Sequence, residues 1–189
     1  YHGAIYDPRG GHFHPLNYAL GLAQAARDAG VVIYENSRVN LADVKAQTII
    51  LATDTWMGEL APDLGRYTVP IMNYNIATAP LPHADALLPS DAAVADSRFV
   101  LNYFRLSADK RLLFGGGEKY VQRPPADIGA FVRKHIVKVF PSLADTAIDY
   151  AWGGAVGVTM NRLPHLGRRP ASSGQTIFFA HGFSGHGAL

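Results

Sequence analysis

The segment whose residue types say most about chemistry is His181-Gly182-Phe183-Ser184-Gly185-His186-Gly187. It follows an apolar run, Ile177-Phe178-Phe179-Ala180. A glycine-rich turn after a strand lets backbone N–H groups approach an anion or the polar edge of a ring. The order is GxxGxG and not the GxGxxG of a dinucleotide fingerprint. An ordinary tight turn is the competing reading. The second segment is Gly10-Gly11-His12-Phe13-His14-Pro15. His12 and His14 would share one face of a strand and could chelate a metal. Pro15 opens a helix immediately afterwards, so one imidazole capping that helix or touching substrate is the preferred reading. Thr53-Asp54-Thr55-Trp56 follows another apolar run, where α/β sheets bind ligands; helix capping by Asp54 or Thr55 is compatible with that. Tyr103 and Arg105 fall on one strand face, suited to a polar pocket or simply to solvent. Asp7, Glu35, Asp43 and Glu118 form no carboxylate pair in sequence. There is no GxSxG elbow and no P-loop, and Ser184 lacks the glycine two positions before it.

The elements that must position these residues can be read from periodicity. Ala4-Ile5-Tyr6 is expected to be a short strand. Pro15 suits the first helical position, and Leu16, Ala19, Leu20, Ala23 and Ala26 recur at helical spacing up to a stop at Gly30. Val31–Tyr34 and Thr48–Ala52 are apolar runs expected to be buried strands of a parallel sheet. The character changes near Thr68. Phe99–Leu106 and Arg111–Phe114 flank a polar turn and predict an antiparallel hairpin, ended by Gly115-Gly116-Gly117. Ile128, Val132, Ile136, Val139 and Phe140 mark one face of a helix stopped by Pro141. Strands are expected at Thr146–Trp152 and Thr176–Ala180. The fold class is therefore α/β with an inserted α+β part. Its boundaries are expected at 1–67, 68–150 and 151–189.

The 189 residues include 48% hydrophobic and 17% charged positions, a globular composition. The absence of cysteine excludes disulfides, thiolate metal sites and a cysteine nucleophile. Seventeen basic and fifteen acidic residues alternate without a basic run, which argues against nucleic acid and anionic membranes as partners. No apolar stretch is long enough to span a bilayer. Both ends read as cut, so the chain is expected to be a piece of a longer protein.

Several segments, in order, carry a family resemblance. They are Gly11–Tyr18, Ile50–Thr53, Tyr103–Ser107, Arg111–Gly116, Trp152-Gly153-Gly154, Thr159–Pro164 and Gly182–Gly187. Together they resemble the FAD-dependent oxidoreductases of the D-amino-acid-oxidase type, most of all the γ-glutamylputrescine oxidoreductase branch. The resemblance implies a partial FAD-binding, Rossmann-like domain plus an antiparallel substrate-domain sheet. The GxGxxG unit would lie upstream of Tyr1. It implies that Val39, Ala52 and Thr53 lie against the dinucleotide. Gly182, Phe183, Ser184, Gly185, His186 and Gly187 would face the flavin ring, with their N–H groups near N1 and C2=O. Tyr103 and Arg105 would be the catalytic-site residues, and His12, His14 and Arg162 would contact substrate. The position two residues after the Trp-x-Gly triplet, where amino-acid oxidases of this type carry an arginine, is Val156. That departure implies an amine substrate instead of a free α-amino acid. The implied chemistry is hydride transfer from the carbon bearing a neutral amine, then imine hydrolysis, with O₂ or another acceptor reoxidising the flavin. The implied location is cytoplasmic. This piece alone is expected to bind FAD weakly or not at all and to be inactive. Two rival readings remain at this level. One is a metal-dependent enzyme using His12 and His14; the other is a binding domain whose glycine turns are only structural.

Overall fold

The computed structural model describes residues 2–171 and 174–186. Helix α1 spans Pro15–Asp28, with proline in its first turn and the His14 side chain accepting from the Asn17 N–H. Gly30, at φ +89°, turns the chain just past its end. Strand β1 covers Thr48–Leu51, followed by two short helices, α2 (Met57–Leu60) and α3 (Pro62–Gly65). The long strand β2 (Thr68–Thr78) leads through the short helix α4 (Ala84–Leu87) to β3 (Val94–Ala95), β4 (Tyr103–Leu106) and β5 (Leu112–Lys119). Helix α5 (Ile128–Val139) precedes β6 (Ile148–Thr159), β7 (His165–Pro170) and β8 (Thr176–His181).

Two sheets result. Five antiparallel strands lie in the order β3-β4-β5-β2-β6, and three lie in the order β1-β8-β7, with β1 parallel to β8. This is the expected combination of a partial α/β unit and an antiparallel sheet. Strand β6 pairs with β2 from Ile148 to Thr159, so the boundary expected at 150/151 falls inside one strand. Pro70 is accommodated in β2 because pairing with β5 begins only at Met72, leaving a neighbour on one side.

Helix α5 packs on one face of the large sheet. Asp127 caps it, accepting from the Ala130 N–H at 2.8 Å, and Lys138 stands in its last turn. Val132 and Ile136 bury against Tyr74, Ile76, Phe104, Leu112 and Phe114. A second core gathers Ile49, Leu51, Met57, Ala61, Leu64 and Ile177 under the small sheet.

Three expectations are corrected. Ala4–Tyr6 and Val31–Tyr34 are not strands; both are irregular, exposed chain. A β-branched run becomes a strand only when neighbours accept its backbone hydrogen bonds, and no described segment lies beside these two. The apolar stripe of α1 is likewise left without a covering partner, and no residue of that helix is buried. The glycine triplet does not end the hairpin: Gly115–Gly117 continue β5 through an irregularity in its pairing with β2.

Candidate active site

The site begins where the parallel pair ends. Leu51 of β1 lies opposite Phe179 of β8, so by the same register Ala52 and Thr53 emerge beside Ala180 and His181, just before Gly182. Ligands of α/β sheets sit at this carboxyl end. The link between the two segments is Asp54, which holds a left-handed backbone at φ +40°. Its carboxylate accepts the Gly182 N–H at 2.8 Å and the Gly157 N–H of β6 at 3.0 Å. One side chain thereby fixes the glycine turn to both sheets. Ser184 N–H donates to the Gly157 carbonyl at 2.9 Å, and Phe183 bridges Val158.

Glycine is required at position 182. Its φ is +70°, and a Cβ there would come within 2.7 Å of the Thr68 methyl as well as against Thr159. Within the turn, His186 N–H donates to the Phe183 carbonyl at 2.9 Å. The N–H groups of Gly182, Ser184 and His186 are therefore committed inside the protein. This corrects the expectation that the whole run offers donors to a ligand. Among the described residues, the N–H groups of Phe183 and Gly185 remain without an acceptor. Gly187 lies outside the described residues.

The face of the large sheet away from α5 forms the second wall. Alternation in β2 sends Tyr74 and Ile76 into the core and Asn73 and Asn75 to the opposite side. Tyr103 donates its hydroxyl to Asn73 Oδ1 at 2.5 Å, and Asn75 donates to the same oxygen at 3.3 Å. The Tyr103 ring lies over Gly115, its cross-strand neighbour, where any Cβ would overlap it. Burial pushes the phenol pKa up, and Glu118 adds to this, against the opposing hydrogen-bond interactions with Asn75 and Asn73. Trp152, opposite Asn75 on β6, continues the same face.

Arg105, two residues from Tyr103, is held by the N-terminal segment. Its guanidinium donates to the Phe13 carbonyl at 3.1 Å and lies 3.4 Å from His12 Nδ1. His12 Nε2 is 2.9 Å from the Asp91 carbonyl oxygen. Residues more than ninety positions apart thus meet at Arg105, while His14 is occupied in capping α1. His12 and His14 have separate partners, and among the described residues no group of histidines and carboxylates could hold a metal ion. The metal reading loses its ligand set. Arg162, in the turn after β6, stacks over the Phe99 ring at 4.6 Å. Val39 is exposed, between α1 and β1 in the chain. Thr53 donates its hydroxyl to the Met57 sulfur at 3.8 Å.

Two features escaped sequence reasoning. Asp54 was visible only as a cap, because its acceptor role spans more than a hundred residues. Glu118 stood out only as a carboxylate without a partner in sequence, because its place opposite Asn73 depends on the pairing irregularity in β5.

With this geometry in place, comparison with known proteins decides the family. The model of the FAD-dependent oxidoreductase (DAO) family matches residues 1–189. The chain belongs to that family. It is 39% identical over 207 residues to the probable oxidoreductase OrdL of Haemophilus influenzae, covering 99% of this chain and 46% of that protein. It is 36% identical over 203 residues to the gamma-glutamylputrescine oxidoreductase of Escherichia coli, covering 99% of this chain and 47% of that protein. The chain thus spans about half the length of the curated relatives it matches. Among solved structures, the L-proline dehydrogenase of P. horikoshii superposes with a TM-score of 0.71 at 20% identity, covering 92% of this chain and 51% of that one. The glycine oxidase of Geobacillus kaustophilus gives 0.69 at 23% identity, covering 87% of this chain and 47% of that one. These similarities establish the fold. FAD is the cofactor of the family.

The described residues fit the ring end of that cofactor. The turn offers two uncommitted N–H donors, from Phe183 and Gly185, beside a polar sheet face. No described segment offers a matching glycine-rich cradle for the pyrophosphate. Among the described residues, no helix is long and apolar enough to cross a membrane.

Proposed function

We propose that this chain is part of an FAD-dependent oxidoreductase that oxidises an amine to an imine. The observation that carries the reading is the fixed approach of the glycine turn to the antiparallel sheet, made by Asp54 between Gly182 and Gly157. When bound, FAD supplies a two-electron acceptor for the hydride on the carbon bearing the amine. The residues of this chain do the rest. The Phe183 and Gly185 N–H groups would hold the polar ring edge, where preorganised donors stabilise added negative charge. Tyr103, held by Asn73 and seated on Gly115, presents a fixed phenol to the substrate. Its single hydroxyl hydrogen is committed to Asn73, so its oxygen meets the substrate as an acceptor, and burial, which pushes its pKa up, further favours the protonated phenol. Ala52 and Thr53 lie along the dinucleotide. His12 and Arg105 border the substrate, and Arg162 lies beyond Phe99.

Val156 supports an amine in place of a free amino acid. It faces the turn, with its Cγ1 3.8 Å from the position a Cβ on Gly185 would take. A carboxylate clamp at that place would need an arginine. The E. coli relative, named for gamma-glutamylputrescine, makes an N-substituted diamine the first substrate class to test. The acceptor that reoxidises the flavin is O₂ or another oxidant, and the expected location is cytoplasmic. Domain limits near 67 and 150 accompany this reading, with β6 carrying the second across into the segment that returns to the cofactor side.

The test is anaerobic mixing of the full-length, FAD-loaded protein with primary and secondary amines. Stoichiometric flavin bleaching with release of the carbonyl product is expected. Unchanged flavin with every amine, together with bleaching by a free α-amino acid, would overturn the assignment.

A further inference from the structure

The pairing of β5 with β2 contains one extra residue. Asn75 lies opposite Gly115, but Asn73 lies opposite Glu118, so three steps along β5 match two along β2. The extra residue is absorbed at Gly116-Gly117, where Gly117 takes φ +82°. Glycine is needed there, since a Cβ at 117 would also press into the Phe131 ring on α5. Without the bulge, regular alternation would place Gly117 opposite Asn73 and turn Glu118 toward α5 and the core. With it, Glu118 joins Asn73 and Tyr103 on the site face. Bulges that re-aim one side chain are common beside active sites.

The result is a half-buried carboxylate that forms no hydrogen bond or ion pair among the described residues. Burial, the larger influence, pushes its pKa up, and the nearby Arg162 charge opposes this only in part. Arg162 itself is stacked on Phe99 and makes no ion pair with Glu118. Leaving an ionised group partly desolvated and unpaired is unfavourable unless something cationic completes it.

We propose that Glu118 is a specificity-determining residue that binds a second, cationic nitrogen of the amine substrate, distinct from the nitrogen being oxidised. The inference rests on the amine-oxidising reading above. A cationic nitrogen here makes a charge-assisted hydrogen bond to Glu118, while the neighbouring Tyr103 and Asn73 bracket the chain that joins the two nitrogens. The bulge is then the device that turns a core-facing position into a substrate contact.

The experiment compares 1,4-diaminobutane with n-butylamine, equal in length and differing by one positive charge, on the FAD-loaded full-length protein and on Glu118→Gln. Both KM and the dissociation constant from flavin spectral perturbation are read. The wild type is expected to favour the diamine by about tenfold to a hundredfold, the range of one charge-assisted hydrogen bond. Glu118→Gln should erase that preference through KM, leaving n-butylamine unchanged, and Glu118→Asp should restore part of it. Preference retained in Glu118→Gln, or equal loss for both amines, overturns the role of Glu118 while leaving amine oxidation intact. A wild type that shows no preference for the diamine also overturns the role of Glu118, whereas amine oxidation itself falls only when no amine bleaches the flavin.

Discussion

Replacing Asp54 with asparagine removes the charge that ties the glycine turn to both sheets. The carboxylate accepts two backbone N–H groups, from Gly182 at 2.8 Å and Gly157 at 3.0 Å. Asparagine fits the left-handed backbone at this position, so backbone strain is not the perturbation. Its amide retains one acceptor oxygen, but its NH₂ group faces the other N–H. One charge-assisted bond is weakened to a neutral one, and one donor loses its partner. Hydrogen bonds to charged groups contribute about 1.5–3 kcal/mol, and an orphaned buried donor costs about 1–3 kcal/mol. Asp54→Asn should therefore lower stability by about 2–4 kcal/mol. Urea unfolding followed by circular dichroism measures this directly. Because Gly182 anchors the turn, FAD affinity should fall as well. Asp54→Asn within about 0.5 kcal/mol of wild type, with unchanged FAD affinity, would refute the view that Asp54 joins the two sheets.

Gly115→Ala should displace the Tyr103 ring, cost about 1–3 kcal/mol as overpacking does, and lower kcat with an amine; stopped-flow flavin reduction reads the second effect. Val156→Arg should lower KM for a free α-amino acid by about tenfold or more, the worth of a charge-assisted carboxylate contact, and steady-state kinetics with an amino acid and an amine would show whether specificity moves. Stability should fall as pH is lowered from neutrality. His181 is fully buried, its Nδ1 has no partner among the described residues, and its Nε2 lies 2.8 Å from His165 Nδ1. Burial, then the His165 charge, hold its pKa below the ordinary value of 6.5. The unfolded chain then binds more protons, so the stabilisation is present above 6.5 and is lost below it. His135, also lowered mainly by burial, acts in the same direction. His181→Gln should flatten the profile partly and not wholly, as thermal unfolding between neutral and mildly acid pH would show.

What the sequence disclosed follows physical range. Helix α1, helix α5, strands β1 and β8 and the β4–β5 hairpin were legible because local periodicity and caps specify them. The same local evidence misled at Val31–Tyr34, whose apolar run has no adjacent described strand to pair with. Strand β7 was missed because His165–Pro170 mixes glycine, proline and two arginines, and pairing with β8 makes it a strand. The glycine turn was recognised, yet which of its N–H groups remain available depends on Asp54 and Gly157, far away in sequence. Tyr103 was found from its strand position, whereas the facing of Glu118 depends on a bulge hidden in a run of three glycines.

The central claim is that the turn after β8 and the Tyr103 face of the large sheet enclose one flavin ring. A crystal structure of the full-length protein with FAD tests it most directly. The ring's polar edge is expected on the Phe183 and Gly185 N–H groups, with Tyr103 and Glu118 across the substrate space. A ring bound away from the turn, or Tyr103 facing solvent with the cofactor in place, would contradict it.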